Sequence, residues 1–235
     1  MKGELVHFLT TDSLRLPGFL FNNTSSNKVA LYLHGNGTAS IFYSPLMNIL
    51  ADELAKIDIA FFPFNNRGAH LIKSLKRITN NTIERVTYGT AYELIEECIY
   101  DIDGAIEFLK TKGFDTFYLI GESTGANKIV VYQYLKKKSP FTKYVLLAGG
   151  DDTGIYYREL GDTRFKSLIS KAQQKIKERS GTDLVPKSMS QIPYSFQSLY
   201  DVLNPDGLYN IFPFTEYANN LHLSSKKIIS RISIY

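Results

Sequence analysis

The sequence predicts an α/β fold: a mostly parallel sheet flanked by helices, with a helical cap insertion near the C-terminal end. Two observations carry this. Short apolar runs, each stopped by a turn and followed by a helical stretch, recur through the first 150 residues, an order that implies a parallel sheet covered on both faces. From Asp151 onward that alternation breaks. At 235 residues and 44% hydrophobic content, the chain can bury a sizeable core.

The elements follow in order. Glu4 to about Asn22 holds two strand-like runs, read as an opening hairpin, and Pro17-Gly18 in the second suits an edge strand or a bulge. Lys28–Leu33 (KVALYL) is a buried strand stopping at His34-Gly35-Asn36-Gly37. A helix is expected from about Tyr43 to Lys56, with Leu46, Ile49, Leu50 and Leu54 at helical spacing. Ile59–Phe64 (IAFFPF) is a second buried run, ending in Asn65-Asn66-Arg67-Gly68, and a polar loop comes next. The stretch Tyr92–Lys110 reads as a helix whose Glu93, Glu96, Glu97, Asp101 and Asp103 form a solvated face. Thr116–Ile120 is a third buried run, followed by the turn Gly121–Gly125, a helix to about Lys137, and a fourth run, Tyr144–Ala148 (YVLLA). The expected division is a core over residues 1–150, a helical cap over 151–222, and the start of a further core strand over 223–235. Within the cap, Thr163–Arg179 reads as an amphipathic helix with a basic, solvated side.

Composition excludes some functions. The net charge of +4, from 27 basic and 23 acidic residues, is small and scattered, so no nucleic-acid partner is expected. Cys98 is the single cysteine, which rules out an internal disulfide and fits a reducing, cytoplasmic setting. No basic leader and no run of about 18 apolar residues is present, so no membrane association is expected.

Gly121-Glu122-Ser123-Thr124-Gly125 fits the pattern G-x-S-x-G, and its context carries the chemistry. A strand (TFYLI) enters it and a helix (ANKIVVYQYL) leaves it, so the serine falls on a sharp strand-to-helix turn. Ser123 is the candidate nucleophile. At the start of a helix, unpaired backbone N–H groups favour negative charge, which makes the Thr124 N–H the first expected oxyanion donor. The second is assigned to the backbone N–H of Asn36 in the His34–Gly37 turn, although a plain tight turn there fits the residues equally.

In this order, HG-x-G, a second strand ending in an Arg-Gly turn, an acidic-faced helix and GxSxG, the chain resembles the α/β-hydrolase superfamily. It is most similar there to compact esterases of the dienelactone hydrolase and feruloyl esterase kind. The resemblance covers Lys28 to about Gly150. It departs at Asn65-Asn66, where family members often carry Asp before the Arg-Gly pair, and Arg67 is read as structural. The resemblance implies a small-molecule ester or other acyl substrate, no metal or organic cofactor, and an acid and a histidine following the serine in chain order. Of the four histidines, His7 and His70 read as surface or packing residues and His34 as part of the oxyanion turn. Only His222 follows Ser123. Asp151 and Asp152, directly after YVLLA, are the acid candidates, with helix capping as their alternative role. Because His222 falls within or just after the cap, the resemblance places the acid and histidine on strands beyond Tyr235, so the C-terminal strands are expected to be missing. A catalytically incomplete fragment or a non-catalytic binding module is the competing reading, and esterase, peptidase and thioesterase activities stay open. The sequence leaves the oligomeric state undetermined.

Overall fold

The computed structural model of the protein describes residues 2–22, 24–80, 82–136, 138–221 and 223. The chain opens with strands β1 (Glu4–Leu9), β2 (Leu14–Leu20) and β3 (Lys28–Leu33), followed by helix α1 (Leu46–Ala55) and strand β4 (Ala60–Phe64). Next come β5 (Lys73–Thr79), β6 (Thr82–Tyr88), α2 (Cys98–Thr111), β7 (Thr116–Glu122), α3 (Thr124–Leu135) and β8 (Phe141–Leu147). Three helices follow: α4 (Asp152–Lys177), α5 (Phe196–Leu203) and α6 (Phe214–Asn219). The strand start expected over residues 223–235 lies, apart from Leu223, outside the described residues.

Eight strands form one sheet in the order β6-β5-β2-β4-β3-β7-β8, with β1 paired to β2. The centre is parallel: β3 pairs with β4 and β7, and β7 with β8. Side chains alternate faces along a strand, so a strand buried on both sides must be apolar throughout. In β3, Val29, Leu31 and Leu33 enter one core with α2 and α3, while Ala30 and Tyr32 enter a second core under α1, with Met47 and Ala51. Phe61 divides from Phe62 and Phe64 in the same way across β4.

The sheet is mixed rather than mostly parallel. The pairings β1–β2, β2–β4, β2–β5 and β5–β6 are antiparallel. Part of this comes from the segment read as a polar loop, which forms the β5–β6 hairpin. Its Ser74-Leu75-Lys76 alternation and its Thr, Ile and Val residues around Asn80-Asn81 are strand signals masked by high polarity, for only Leu75 of the two strands is buried. Pro17 lies in an interior strand, not at an edge. The Pro17 carbonyl accepts the Asn65 N–H at 3.0 Å, so its imino nitrogen faces the same side, where β2 changes partner from β5 (at Leu14 and Arg15) to β4 (at Gly18). The missing donor falls in the gap between two ladders.

Two further expectations are corrected. The acidic face of α2 and its approach is solvated only in part: Glu96 is exposed and Glu97 and Asp103 are half-buried, but Glu93 and Asp101 are each 1% exposed, ion-paired to Lys128 and Arg67. The fourth apolar run is not a buried strand either. Among the described residues β8 ends the sheet order, and Val145 and Leu146 stand exposed. In α4, Gly161 adopts φ 72°, ψ 161° and divides the helix in two, the second half burying Phe165, Leu168 and Ala172. No helix of the described residues is long and apolar enough to cross a membrane.

Candidate active site

Ser123 stands where β7 turns into α3, and its backbone is strained. It adopts φ 55°, ψ −127°, a conformation that L-residues rarely hold and that costs roughly 1–3 kcal/mol. The turn closes because its glycines lack Cβ atoms. A Cβ on Gly121 would lie 2.4 Å from the Gly125 carbonyl oxygen, and one on Gly125 would lie 2.2 Å from that of Leu33. The first contact closes the turn and the second draws α3 onto the end of β3, beside the His34–Gly37 segment. Gly35 packs against the Ser123 side chain, and the Ser123 N–H donates to the Leu147 carbonyl at 2.8 Å. Glu122 faces away from this turn and accepts a hydrogen bond from the Tyr32 hydroxyl.

The Ser123 side chain is exposed at a cavity of about 650 Å³. Asn36, Gly37, Thr124 and Asp152 line it on the sheet side, and Tyr156, Leu168, Met189, Ile192, Tyr194 and Leu199 on the other. Both expected oxyanion donors therefore sit with Ser123 at one cavity. The Gly37 N–H is already engaged, donating to Asn36 Oδ1 at 2.8 Å and Thr90 Oγ1 at 3.0 Å. The N–H groups of Asn36 and Thr124 have no partner among the described residues, the latter opening α3 where no preceding turn can accept it. Substitutions separate backbone from side chain here. Gly37 has φ +79°, and a Cβ there would meet nothing within 4 Å, so Gly37→Val acts through dihedral strain alone. It is expected to lower the serine's reactivity toward the hundredfold loss typical of an oxyanion donor, whereas Asn36→Ala stays within about tenfold. A loss in Asn36→Ala as large as in Gly37→Val, at unchanged stability, would assign the donor to the side chain.

The acid candidates have separate partners. Asp151 is buried, capping α4 by accepting the Gly154 N–H at 2.9 Å and also accepting the Thr215 N–H at 2.6 Å. Asp152 faces the cavity and accepts hydrogen bonds from Thr124 Oγ1 at 3.0 Å and Asn127 Nδ2 at 3.3 Å. Burial raises its pKa, with Asp151 adding to the effect and the Thr124 bond opposing it. His222 lies outside the described residues. Ser123 Oγ has no hydrogen-bond partner among the described residues, and His7 is exposed on β1. His70 meets the Tyr43 ring edge-on, with centroids 5.6 Å apart.

His34 is turned inward. Nδ1 meets the Gly35 carbonyl at 2.7 Å and Nε2 accepts the Asn66 N–H at 3.2 Å, tying the oxyanion turn to the end of β4. Burial, followed by the positive field of Lys128, pushes its pKa down from 6.5 to about 3. The unfolded chain thus binds this proton first on acidification. The contribution of neutral His34 is complete above pH 6.5 and is lost as the pH falls toward 3. Replacing His34 with Gln is expected to flatten the decline in stability between about pH 6 and 4, measured by urea unfolding. An unchanged acid slope in that variant would place the linkage elsewhere.

Sequence reasoning missed the framework beneath the site. Arg67 is fully buried, bonded to Asp101 at 2.8 and 2.9 Å and to Asp12 at 2.7 and 3.1 Å, with Glu97 at 3.1 Å. This matches its structural reading. Thr90, joined to the oxyanion turn, carries no sequence signal beyond lying in a Gly-Thr turn.

No family model matches the chain, and no curated protein matches it. Solved structures do. It is similar to the α/β hydrolase GrgF from Penicillium sp. sh18, with a TM-score of 0.55 and 16% identity, over 84% of this chain and 63% of that one. The siderophore hydrolase EstB from Aspergillus fumigatus aligns with a TM-score of 0.58 and 15% identity, over 90% and 69%. A thermostable carboxyl esterase from Bacillus coagulans aligns with a TM-score of 0.54 and 10% identity, over 82% and 56%. The chain thus spans less than two thirds of the length of GrgF and of the Bacillus enzyme. The parallel centre of the sheet, the strained turn at Ser123 and these likenesses together give this chain the α/β-hydrolase fold.

Proposed function

We propose that the protein is a serine hydrolase of carboxylic esters that works through an acyl-enzyme on Ser123. The observation that carries the reading is the strained, exposed Ser123 at the head of α3, sharing one cavity with Asn36 and Thr124, whose backbone N–H groups have no partner among the described residues. The Ser123 oxygen attacks the ester carbonyl carbon, and its proton passes to a base. The carbonyl oxygen becomes an oxyanion held by the N–H groups of Asn36 and Thr124. Collapse expels the alcohol, which takes the proton, and water then releases the acid from the serine by the same route. Helices α4, α5 and α6 are read as a cap, of which α4, α5 and the segment between them close the acyl side of the cavity. Esterase and hydrolase neighbours support an ester substrate.

No histidine stands beside Ser123 among the described residues; the candidate base is His222, the one histidine after the serine in this sequence, with Asp152, which lines the same cavity, as the candidate acid. A serine hydroxyl without such a base is a weak nucleophile. The lack of a partner for Ser123 Oγ among the described residues favours, as a second reading, a non-catalytic module that binds acyl compounds in the same cavity. A fluorophosphonate probe separates the two. The hydrolase reading expects covalent labelling at Ser123, located by mass spectrometry, at a rate that rises between about pH 6 and 8 as an imidazole loses its proton. Loss of labelling in His222→Ala would make His222 the base. Absence of labelling across that range overturns the hydrolase reading and leaves the module.

A further inference from the structure

Segment 89–93 crosses beneath the oxyanion turn, and one side chain in it touches that turn directly. Thr90 is 1% exposed, and its hydroxyl sits among three backbone groups of two different loops. It accepts the Gly37 N–H at 3.0 Å, and its own proton faces the carbonyls of Gly37 at 2.9 Å and Gly68 at 3.1 Å. The same residue is anchored from behind, because its N–H donates to the His70 carbonyl at 2.8 Å. Its carbonyl in turn accepts from Ser198 Oγ at 3.2 Å, and Ser198 also bonds the Glu93 carbonyl at 2.9 Å. Ser198 belongs to α5, whose Leu199 and Val202 wall the cavity. One buried threonine thus joins the oxyanion turn, the Arg67–Gly68 turn and the helix over the acyl side.

Holding both the N–H and the carbonyl of Gly37 fixes the peptide planes on either side of it, and the Asn36 N–H lies one plane upstream, on the peptide whose Gly35 carbonyl meets His34 Nδ1 at 2.7 Å, so its direction is set between His34 on one side and Thr90, through Gly37, on the other. Because Thr90 takes up the Gly37 N–H, that group is unavailable as a donor, and the Asn36 N–H, without a partner among the described residues, is the one left in this turn at the cavity it shares with Ser123. We propose that Thr90 is a positioning residue that aims the Asn36 N–H at the oxyanion, acting through the Gly37 peptide and never touching substrate. The inference rests on the ester-hydrolase reading of Ser123. It predicts an effect confined to the step in which negative charge develops, since a misaimed donor weakens the transition state more than the bound ester.

The test compares Thr90→Val, which keeps the shape and removes the hydroxyl, with Thr90→Ser, which keeps the hydroxyl. Fluorophosphonate labelling rate, kcat and KM on p-nitrophenyl butyrate, and Tm are measured for each. Thr90→Val is expected to lower kcat and the labelling rate by about tenfold to a hundredfold with KM within about twofold, and Thr90→Ser to stay within about threefold of the parent. Equal losses in both variants, or a fall in the labelled fraction at unchanged rate, would mark a purely structural role and overturn the proposal. Should Thr90→Val not fold, Thr90→Ala replaces it. Amide exchange of residues 34–38 is followed in the same proteins: faster exchange at Gly37 in Thr90→Val and parental exchange in Thr90→Ser are expected. If the parent neither labels nor hydrolyses ester, the hydrolase reading has failed and the catalytic role of Thr90 falls with it. If the parent reacts and Thr90→Val reacts equally fast, the hydrolase reading stands and only the role of Thr90 is overturned.

Discussion

Replacing Ser123 with Ala is expected to eliminate covalent labelling and to reduce ester hydrolysis to the background left by binding and the oxyanion donors. In a serine protease, loss of the nucleophile costs about 10⁶-fold in turnover, which sets the scale. The fold should survive, since the hydroxyl makes no hydrogen bond among the described residues and the side chain stands exposed. A second substitution exposes the strain. At φ 55°, ψ −127°, alanine inherits the full backbone cost, whereas glycine does not, so Ser123→Gly should be about 1 kcal/mol more stable than Ser123→Ala while equally inactive. Glycine matching or falling below alanine in urea unfolding would mean that the turn is relaxed in solution. Ester hydrolysis near the parental rate in Ser123→Ala would remove this serine from the mechanism.

What was legible in the sequence is what local rules write there. Runs such as KVALYL and IAFFPF are apolar at consecutive positions because both faces of the central strands are covered, and G-x-S-x-G between a strand and a helix describes a turn set by a few adjacent residues. The less legible parts depend on partners distant in the chain. Glu93 and Asp101 sit at spacing that suits a solvated helix face, and only the fold brings Lys128 and Arg67 against them. The β5–β6 hairpin is polar because most of its side chains remain in solvent, so hydrophobic periodicity could not find it, although its β-branched residues around Asn80-Asn81 were a usable signal. For β8, YVLLA is as apolar as a central strand, yet exposure is decided by sheet order, which local sequence does not encode. Thr90 belongs with these: a threonine in a turn acquires its role from Gly37 and Gly68, 53 and 22 residues away.

The largest effect on stability is expected at the pair formed by Lys128 and Glu93. Lys128 Nζ lies 2.5 Å from Glu93 Oε1, and both side chains are 1% exposed. Glu93 Oε2 has no hydrogen-bond partner among the described residues, and it occupies the space a Cβ on Gly68 would need. Two buried charges compensated chiefly by one another stabilise little as a pair, but each is costly alone. Lys128→Met should therefore lose about 3–5 kcal/mol, because it strands a carboxylate in the core, and against a domain stability of about 5–15 kcal/mol that is a large share. Joining it with Glu93→Leu should recover most of the loss, since neither charge of the pair then remains to be stranded. Lys128 lies on the first turns of α3, directly behind the strained serine, so the double variant also tests whether the pair serves the site. If its stability returns while labelling of Ser123 stays slow, the pair fixes the pitch of α3 beneath the nucleophile. If both return, the pair is replaceable packing, and a cost of less than about 1 kcal/mol in Lys128→Met alone would mean that water reaches Glu93 and that the pair is not sealed in the core.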